Sequence, residues 1–386
     1  MPNNPLSPIH DFLGGTPAVG KALCLSGGGY RAMLFHVGCI WRINEAGLLG
    51  TLDRISSVSG GSITAGVLGM NWTALGLSAA APSAPPDKFT QFFVAPLRQM
   101  ASTTVDAGAI LGGIFLPGSI SDHVADKYAS ILFGKKTLQD LPSDSIGPRF
   151  VINATNVQSG VLMRFSKPYL RDYRVGEVLN PTLPLARVVA ASSAFPPILS
   201  PCEIDLAKYG LQFQPTSGQE DLHFEPYLSK LVLSDGGVYD NLGLETAWKR
   251  YETVLVSDAG GHFAPDPDPH HDWARHAVRV IDLIDSQVRA LRTRQLIALF
   301  EQGERKGTYW GIGQNIDTFG QPAALACPFD RTTQLAATPT RLQAMDDKLQ
   351  DQLINWGYAV CDASLRKFFV PTLAPPSGFP YPASAI

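Results

Sequence analysis

Residues 24–38 read CLSGGGYRAMLFHVG: the end of an apolar run, three consecutive glycines, then a helical pattern. Glycine loses more conformational freedom on folding than any other residue, so three in a row at a strand-to-helix handover mark a place where bare backbone must approach something closely. Working outward, 21–26 (KALCLS) predicts a short buried strand, and Met33, Val37, Ile40 and Trp41 recur at helical spacing up to Gly47, a left-handed helix stop. The same rhythm follows at once. Residues 52–59 (LDRISSVS) predict a second strand, GGS follows, and an apolar helix runs over 63–68. Two strand–glycine–helix units within fifty residues predict an α/β fold with a mostly parallel sheet.

Further strands are predicted at 149–157, 161–166, 230–237 and 251–261, with a polar insertion at 204–230. The apolar, glycine-rich stretch 105–121 reads equally as a surface-seeking flap or a buried connection. Two long helices are predicted at 278–302 and 341–365. In the first, Ile281, Ile284, Val288, Leu291 and Leu299 form a stripe expected to face the core, with Arg289, Arg292 and Arg294 on another face. In the second, the stripe is Leu342, Met345, Leu349, Leu353, Trp356 and Val360. The chain is expected to divide into a lead-in (1–20), a catalytic core (21–261), a helical extension packed on it (262–370) and an extended Pro-rich tail (371–386).

Of the 386 residues, 45% are hydrophobic and 17% charged, a composition for a large core. A net charge of −3 gives no electrostatic footprint for nucleic acid. Five cysteines without a C-x-x-C pair argue against a disulfide framework or a zinc site, and no metal is expected. The N-terminus carries no secretory pattern, and the longest apolar stretch is about half the ~20 residues of a membrane span. The expectation is a cytoplasmic protein that at most rests on a membrane surface; oligomeric state is not legible.

The chemistry concentrates at three places. Ser59 in SSVSGGS sits between a strand and a helix, the setting of a nucleophile elbow, with Ser57 and Gly61 as the small flanking residues. A serine attacking a carbonyl needs donors for the developing oxyanion. The N–H groups of Gly27, Gly28 and Gly29, with a helix N-terminus behind them, fit that need, and Gly60 adds another. The glycine run lacks the last glycine of a dinucleotide fingerprint and the G-K-[ST] of a phosphate loop. For a base, Asp235 and Asp258 both end apolar strands and precede glycines, while His262, His270, His271 and His276 leave a Ser-His-Asp triad open.

Taken in order, Gly27-Gly28-Gly29-Tyr30-Arg31, Ser57-Val58-Ser59-Gly60-Gly61 and Asp235-Gly236-Gly237 resemble the patatin-like phospholipases, in their bacterial form. AASSAFPPILSP (190–201) and the DNLG after Asp235 resemble further family segments. Ser57 departs from the family's first elbow glycine. The resemblance covers roughly residues 21–261. It implies a three-layer α/β/α sandwich with added C-terminal helices, and a Ser59–Asp235 dyad without histidine or cofactor. It also implies an oxyanion loop at Gly27, Gly28 and Gly29, with Arg31, Gly61, Gly236 and Gly237 in support. The implied substrate is a phospholipid or other acyl ester, cleaved by a phospholipase A or lysophospholipase type of reaction. The competing expectations are a carboxylesterase with a Ser-His-Asp triad and a catalytically silent scaffold on the same fold.

Overall fold

The computed structural model describes residues 17–105, 120–216, 220–261 and 263–386. The segment 106–119, most of the stretch read as a flap, lies outside the described residues, as does His262. Strand β1 (Ala18–Leu25) runs into helix α1 (Gly29–Glu45), and β2 (Arg54–Val58) runs into α2 (Gly60–Met70), as the glycine-punctuated pattern predicts. Helix α1 begins at Gly29, the last glycine of the run, with Gly28 as its N-cap.

The sheet also includes β3 (Arg149–Asn156), β4 (Val161–Phe165), β5 (Tyr169–Asp172), β6 (Gly176–Leu179), β7 (Cys202–Asp205), β8 (Lys230–Asp235), β9 (Tyr251–Asp258) and β10 (Lys306–Gly311). Its order is β10-β9-β1-β2-β3-β4-β5-β6. The five strands from β10 to β3 are parallel, and β3-β4-β5-β6 continue antiparallel. Strand β8 pairs antiparallel with β3 and with β7. Strands β5, β6, β7 and β10 are additional to those the sequence predicts.

Alternating side chains of β1 divide the core in two. Leu23 and Leu25 join a large cluster with residues of α1, α2, α3 (Leu185–Ser192) and α5 (Asp347–Ser364). Ala22 and Cys24 join a smaller one on the opposite face, with Leu242, Leu244, Trp248, Val254, Val256 and Leu296 of α4 (Trp273–Glu301). The result is an α/β/α sandwich with a mixed sheet, parallel through the five strands from β10 to β3, and additional C-terminal helices. All five cysteines are buried and free.

Helices α1 and α5 cross at backbone distance. A Cβ on Gly38 would lie 1.9 Å from the Ile354 carbonyl oxygen, and one on Gly357 2.0 Å from that of Phe35. Buried Asp362 holds the crossing by accepting from Arg42 Nε and Arg366 Nε, each at 2.8 Å. The Pro-rich tail does not run free: Leu373, Phe379 and Tyr381 pack against the large cluster, and Tyr381 N–H donates to Asn355.

Helix α4 corrects the sequence reading. Of its 29 residues only Leu296 is fully buried, whereas Val280, Ile281, Leu283, Ile284 and Leu291 are exposed. Two of the three arginines, Arg289 and Arg292, face inward instead, while Arg294 is exposed. Arg289 lies 3.6 Å from Asp258, and Arg292 reaches Glu245 at 3.2 Å and Asp240 at 3.8 Å. Buried carboxylates under this helix demand cationic partners, and that demand outweighs burial of the apolar stripe. Helix α5 begins at Asp347 rather than at 341, so Leu342 and Met345 precede it, while Leu353, Trp356 and Val360 of the expected stripe are wholly buried.

The α1–α5 crossing yields a test. Gly357→Ala is expected to lower the unfolding free energy by about 2 kcal/mol or more, since a backbone carbonyl must move to admit the methyl group. Denaturant titration of the variant against the native chain measures it.

Candidate active site

The site begins at strand β3. Along one edge, β3 pairs with β2 up to Val58↔Asn153 and with β8 down to Asp235↔Ala154. Strands β2 and β8 therefore approach head-on, and their C-terminal ends meet at adjacent β3 residues. Ser59 follows one end directly; Asp235 is the other.

At Ser59 the chain turns sharply, with φ 51° and ψ −119°, a conformation that side-chain-bearing residues rarely adopt. The turn is held from outside. Ser59 N–H donates to Ser192 Oγ at 3.0 Å, and Ser192 Oγ donates to the Asn153 carbonyl at 2.6 Å. Helix α2 then starts at Gly60 in extreme proximity to its neighbours. A Cβ on Gly60 would sit 2.2 Å from the Gly29 carbonyl oxygen, and one on Gly61 2.5 Å from that of Leu25. The N-termini of α1 and α2 thus converge beside Ser59, both presenting the positive ends of their dipoles.

The triple glycine divides its work. Gly27 N–H donates to the Asn241 carbonyl at 3.1 Å, so its amide is engaged rather than free for an oxyanion. Gly28 (φ 140°) and Gly29 (φ 61°) adopt conformations open to glycine, and their N–H groups, like that of Gly60, are committed to no carbonyl among the described residues. Gly29 has no room for a Cβ either, which would lie 2.6 Å from the Arg341 carbonyl oxygen. Arg31 is buried and pins the loop from beneath: Nη2 donates to the Ala259 carbonyl at 3.0 Å and Nη1 to that of Thr338. Burial, then nearby Arg289, lowers the Arg31 pKa to about 10.

Asp235 is 2% exposed. Its Oδ1 accepts from Gly237 N–H at 2.7 Å, while Oδ2 is buried without a hydrogen-bond partner of good geometry among the described residues. Gly236 lets the turn pass under β3, where a Cβ would meet the Asn153 carbonyl oxygen at 2.4 Å. Burial pushes the Asp235 pKa up to about 7, against the lowering effects of Gly237 N–H and of the adjacent Ser59 hydroxyl; the Asp285 carboxylate on α4 adds to the rise. Asp285 itself is raised to about 6 by burial.

The rival base is occupied. Asp258 Oδ1 accepts from Gly260 N–H at 2.8 Å and Oδ2 from the Tyr309 hydroxyl at 2.7 Å, with Arg289 alongside. His270, His271 and His276 are exposed and line no part of the cavity over Ser59. That cavity has a volume of about 760 Å³. Ser59, Gly28, Gly29 and Asp235 form part of its lining, as do Phe195, Ile198 and Leu342, with Asp282 and Asp285 contributed by α4. Among the described residues no three His, Cys, Asp or Glu side chains converge as a metal-binding group.

Residues 23–248 match the family described as Patatin-like phospholipase. The chain belongs to the patatin-like phospholipase family. The patatin-like match contains the glycine loop, Ser59 and Asp235, and leaves α4 and α5 outside. Among solved structures the chain is similar to human GIVD cytosolic phospholipase A2 in complex with methyl gamma-linolenyl fluorophosphonate. There the identity is 13% and the TM-score 0.50, over 89% of this chain and 57% of that one. It is also similar to VipD from Legionella pneumophila, at 16% identity and TM-score 0.32, over 83% and 67% of the two chains. The first likeness is one of fold, and the chain spans little more than half of that human chain's length. No curated protein matches.

Several contributors escaped the sequence reading. Ser192 lies in the quoted 190–201 segment, but nothing there marks it as the acceptor for Ser59 N–H. Residues 340–342 reach the cavity from almost three hundred positions away in the chain, and no local pattern announces that.

The raised pKa has a consequence for stability. Between the ordinary carboxyl pKa near 4 and about 7, Asp235 holds a proton in the folded chain that the unfolded chain has lost, so stability falls as pH rises through this window. Asp235→Asn removes that penalty. Its melting temperature is expected to exceed that of the native chain at pH 8, with the gain vanishing toward pH 4, as calorimetry across the range would show.

Proposed function

We propose that the chain is a lipid acyl hydrolase of the serine type, cleaving carboxylic esters through Ser59 and Asp235. The observation that carries this reading is the pairing at the cavity floor: a serine in a strained strand-to-helix turn whose hydroxyl adjoins a buried carboxylate, the second oxygen of which has no well-formed hydrogen bond among the described residues. In this reading Ser59 Oγ attacks the ester carbonyl carbon while Asp235 Oδ2 accepts its proton. The carbonyl π pair moves onto oxygen, and the N–H groups of Gly28, Gly29 and Gly60 stabilise that oxyanion. Collapse breaks the bond to the leaving alcohol, which takes the proton from Asp235, and leaves an acyl ester on Ser59. Asp235 then deprotonates a water that attacks the acyl carbon, and fatty acid departs as Ser59 Oγ regains the proton.

Burial is what suits an aspartate to this task. A carboxylate at its ordinary pKa is a feeble base near neutrality; one raised to about 7 is matched to the working pH. The apolar part of the cavity lining, including Phe195, Ile198 and Leu342, supports an acyl chain as the occupant, and so does the family. A phospholipid or lysophospholipid is the substrate this favours.

Ser59→Ala is expected to reduce fatty-acid release from phospholipid by about four orders of magnitude or more, and Asp235→Asn by about three to four. In the native chain kcat/KM is expected to fall on the acid side of about pH 7, as Asp235 becomes protonated, and to level above it. Turnover undiminished in a clean Ser59→Ala preparation would refute the proposal.

A further inference from the structure

We infer that the outward face of α4 is a docking surface for a lipid bilayer, which seats the cavity mouth against the membrane. The inference rests on the acyl-hydrolase reading for its choice of partner. Trp273, Ala277, Val280, Ile284 and Leu291 follow one another at intervals of four, three, four and seven residues, with Ile281 and Val288 beside them. This spacing aligns them on one side of a helix, in a stripe about 27 Å long. Trp273 is 84% exposed, Ile284 57% and Leu291 59%. A continuous apolar stripe of this length on a folded surface marks an interaction site rather than scattered exposure.

The opposite side of the same helix explains the orientation. Val278, Asp282, Asp285 and Ser286 line the catalytic cavity, and Arg289 and Arg292 are drawn in by Asp258, Asp240 and Glu245. The helix is therefore held by its polar face as one wall of the cavity, and its apolar face is left outward. It has only three acidic residues; Asp282 and Asp285 face the cavity, and Glu301 lies beyond the stripe. No carboxylate sits on the outward face from 273 to 294, while the exposed Arg294 borders it. An apolar face without negative charge and with a cation at its edge complements zwitterionic and anionic lipid headgroups over acyl chains. Phe195 and Ile198, also exposed, line the cavity that this helix walls, so apolar side chains reach solvent at the cavity as well as on the helix. These features favour a lipid surface over a second copy of the chain, which would cover this cavity wall instead of feeding it.

The test uses the full chain and a triple substitution, Ile281→Glu, Ile284→Glu and Leu291→Glu, at positions outside the cavity lining. Binding is measured in the Ser59→Ala background by co-sedimentation with vesicles of mixed phosphatidylcholine and phosphatidylglycerol. Ser59→Ala protein is expected to bind, and the triple variant to bind at least about tenfold more weakly. With Ser59 present, the triple variant is expected to lose hydrolysis of vesicle phospholipid while hydrolysing water-soluble p-nitrophenyl butyrate like the native chain. Equal vesicle binding with and without the three glutamates would overturn the inference. So would a dimer, seen by sedimentation velocity, that the triple variant dissociates without any change in vesicle binding. Failure of the dyad reading shows separately, as p-nitrophenyl butyrate hydrolysis that survives Ser59→Ala, and leaves the binding comparison intact.

Discussion

Two strands ending against each other on one edge of a third is the constraint on which the rest of this structure depends. Because β2 runs parallel to β3 and β8 antiparallel to it, their C-terminal ends meet, at Asn153 and Ala154 of β3. Serine 59 and aspartate 235, 176 positions apart in the chain, become neighbours through backbone hydrogen bonding alone. Side chains refine the meeting but do not create it. Ser192 fixes the Ser59 turn, and Gly237 N–H orients one carboxylate oxygen so that the other is left over.

The same economy governs the electrostatics. Two helix N-termini converge on Ser59, supplying unengaged amides and positive potential where the proposed reaction develops negative charge. The wall opposite is supplied by α4, whose Asp285 adds repulsion to the burial that already raises the Asp235 pKa. Arg31 stands apart from the reacting groups; its part is to tie the glycine loop to the ends of two distant segments, at Ala259 and Thr338.

How much of this was legible in the sequence differs by element. The first two strand–helix units were legible because glycines punctuate them and their helices are apolar on the inner face. The positions of Ser59 and Asp235 could be read, but not their contact, since head-on pairing on β3 leaves no trace in local spacing. Nor could residues alone choose between Asp235 and Asp258, which share a strand-then-glycine setting; each gives one oxygen to a glycine N–H, but the Tyr309 hydroxyl takes the second oxygen of Asp258, and no well-formed hydrogen bond takes that of Asp235 among the described residues. Helix α4 was misread for a physical reason. An apolar stripe usually faces a core, but here buried Asp240 and Asp258 require the arginine side, and periodicity carries no information about which side is required. Gly27 shows the reverse case, a glycine placed for close approach to Asn241 whose amide is spent on that same residue's carbonyl.

The most direct measurement of the central claim is a crystal structure of the chain after reaction with an alkyl fluorophosphonate. The account predicts phosphorus bonded to Ser59 Oγ. It also predicts a phosphoryl oxygen roughly 3 Å from the amide nitrogens of Gly28, Gly29 and Gly60, with Asp235 beside the adduct. Phosphorus on any other residue, or a phosphoryl oxygen turned away from those amides, would contradict it.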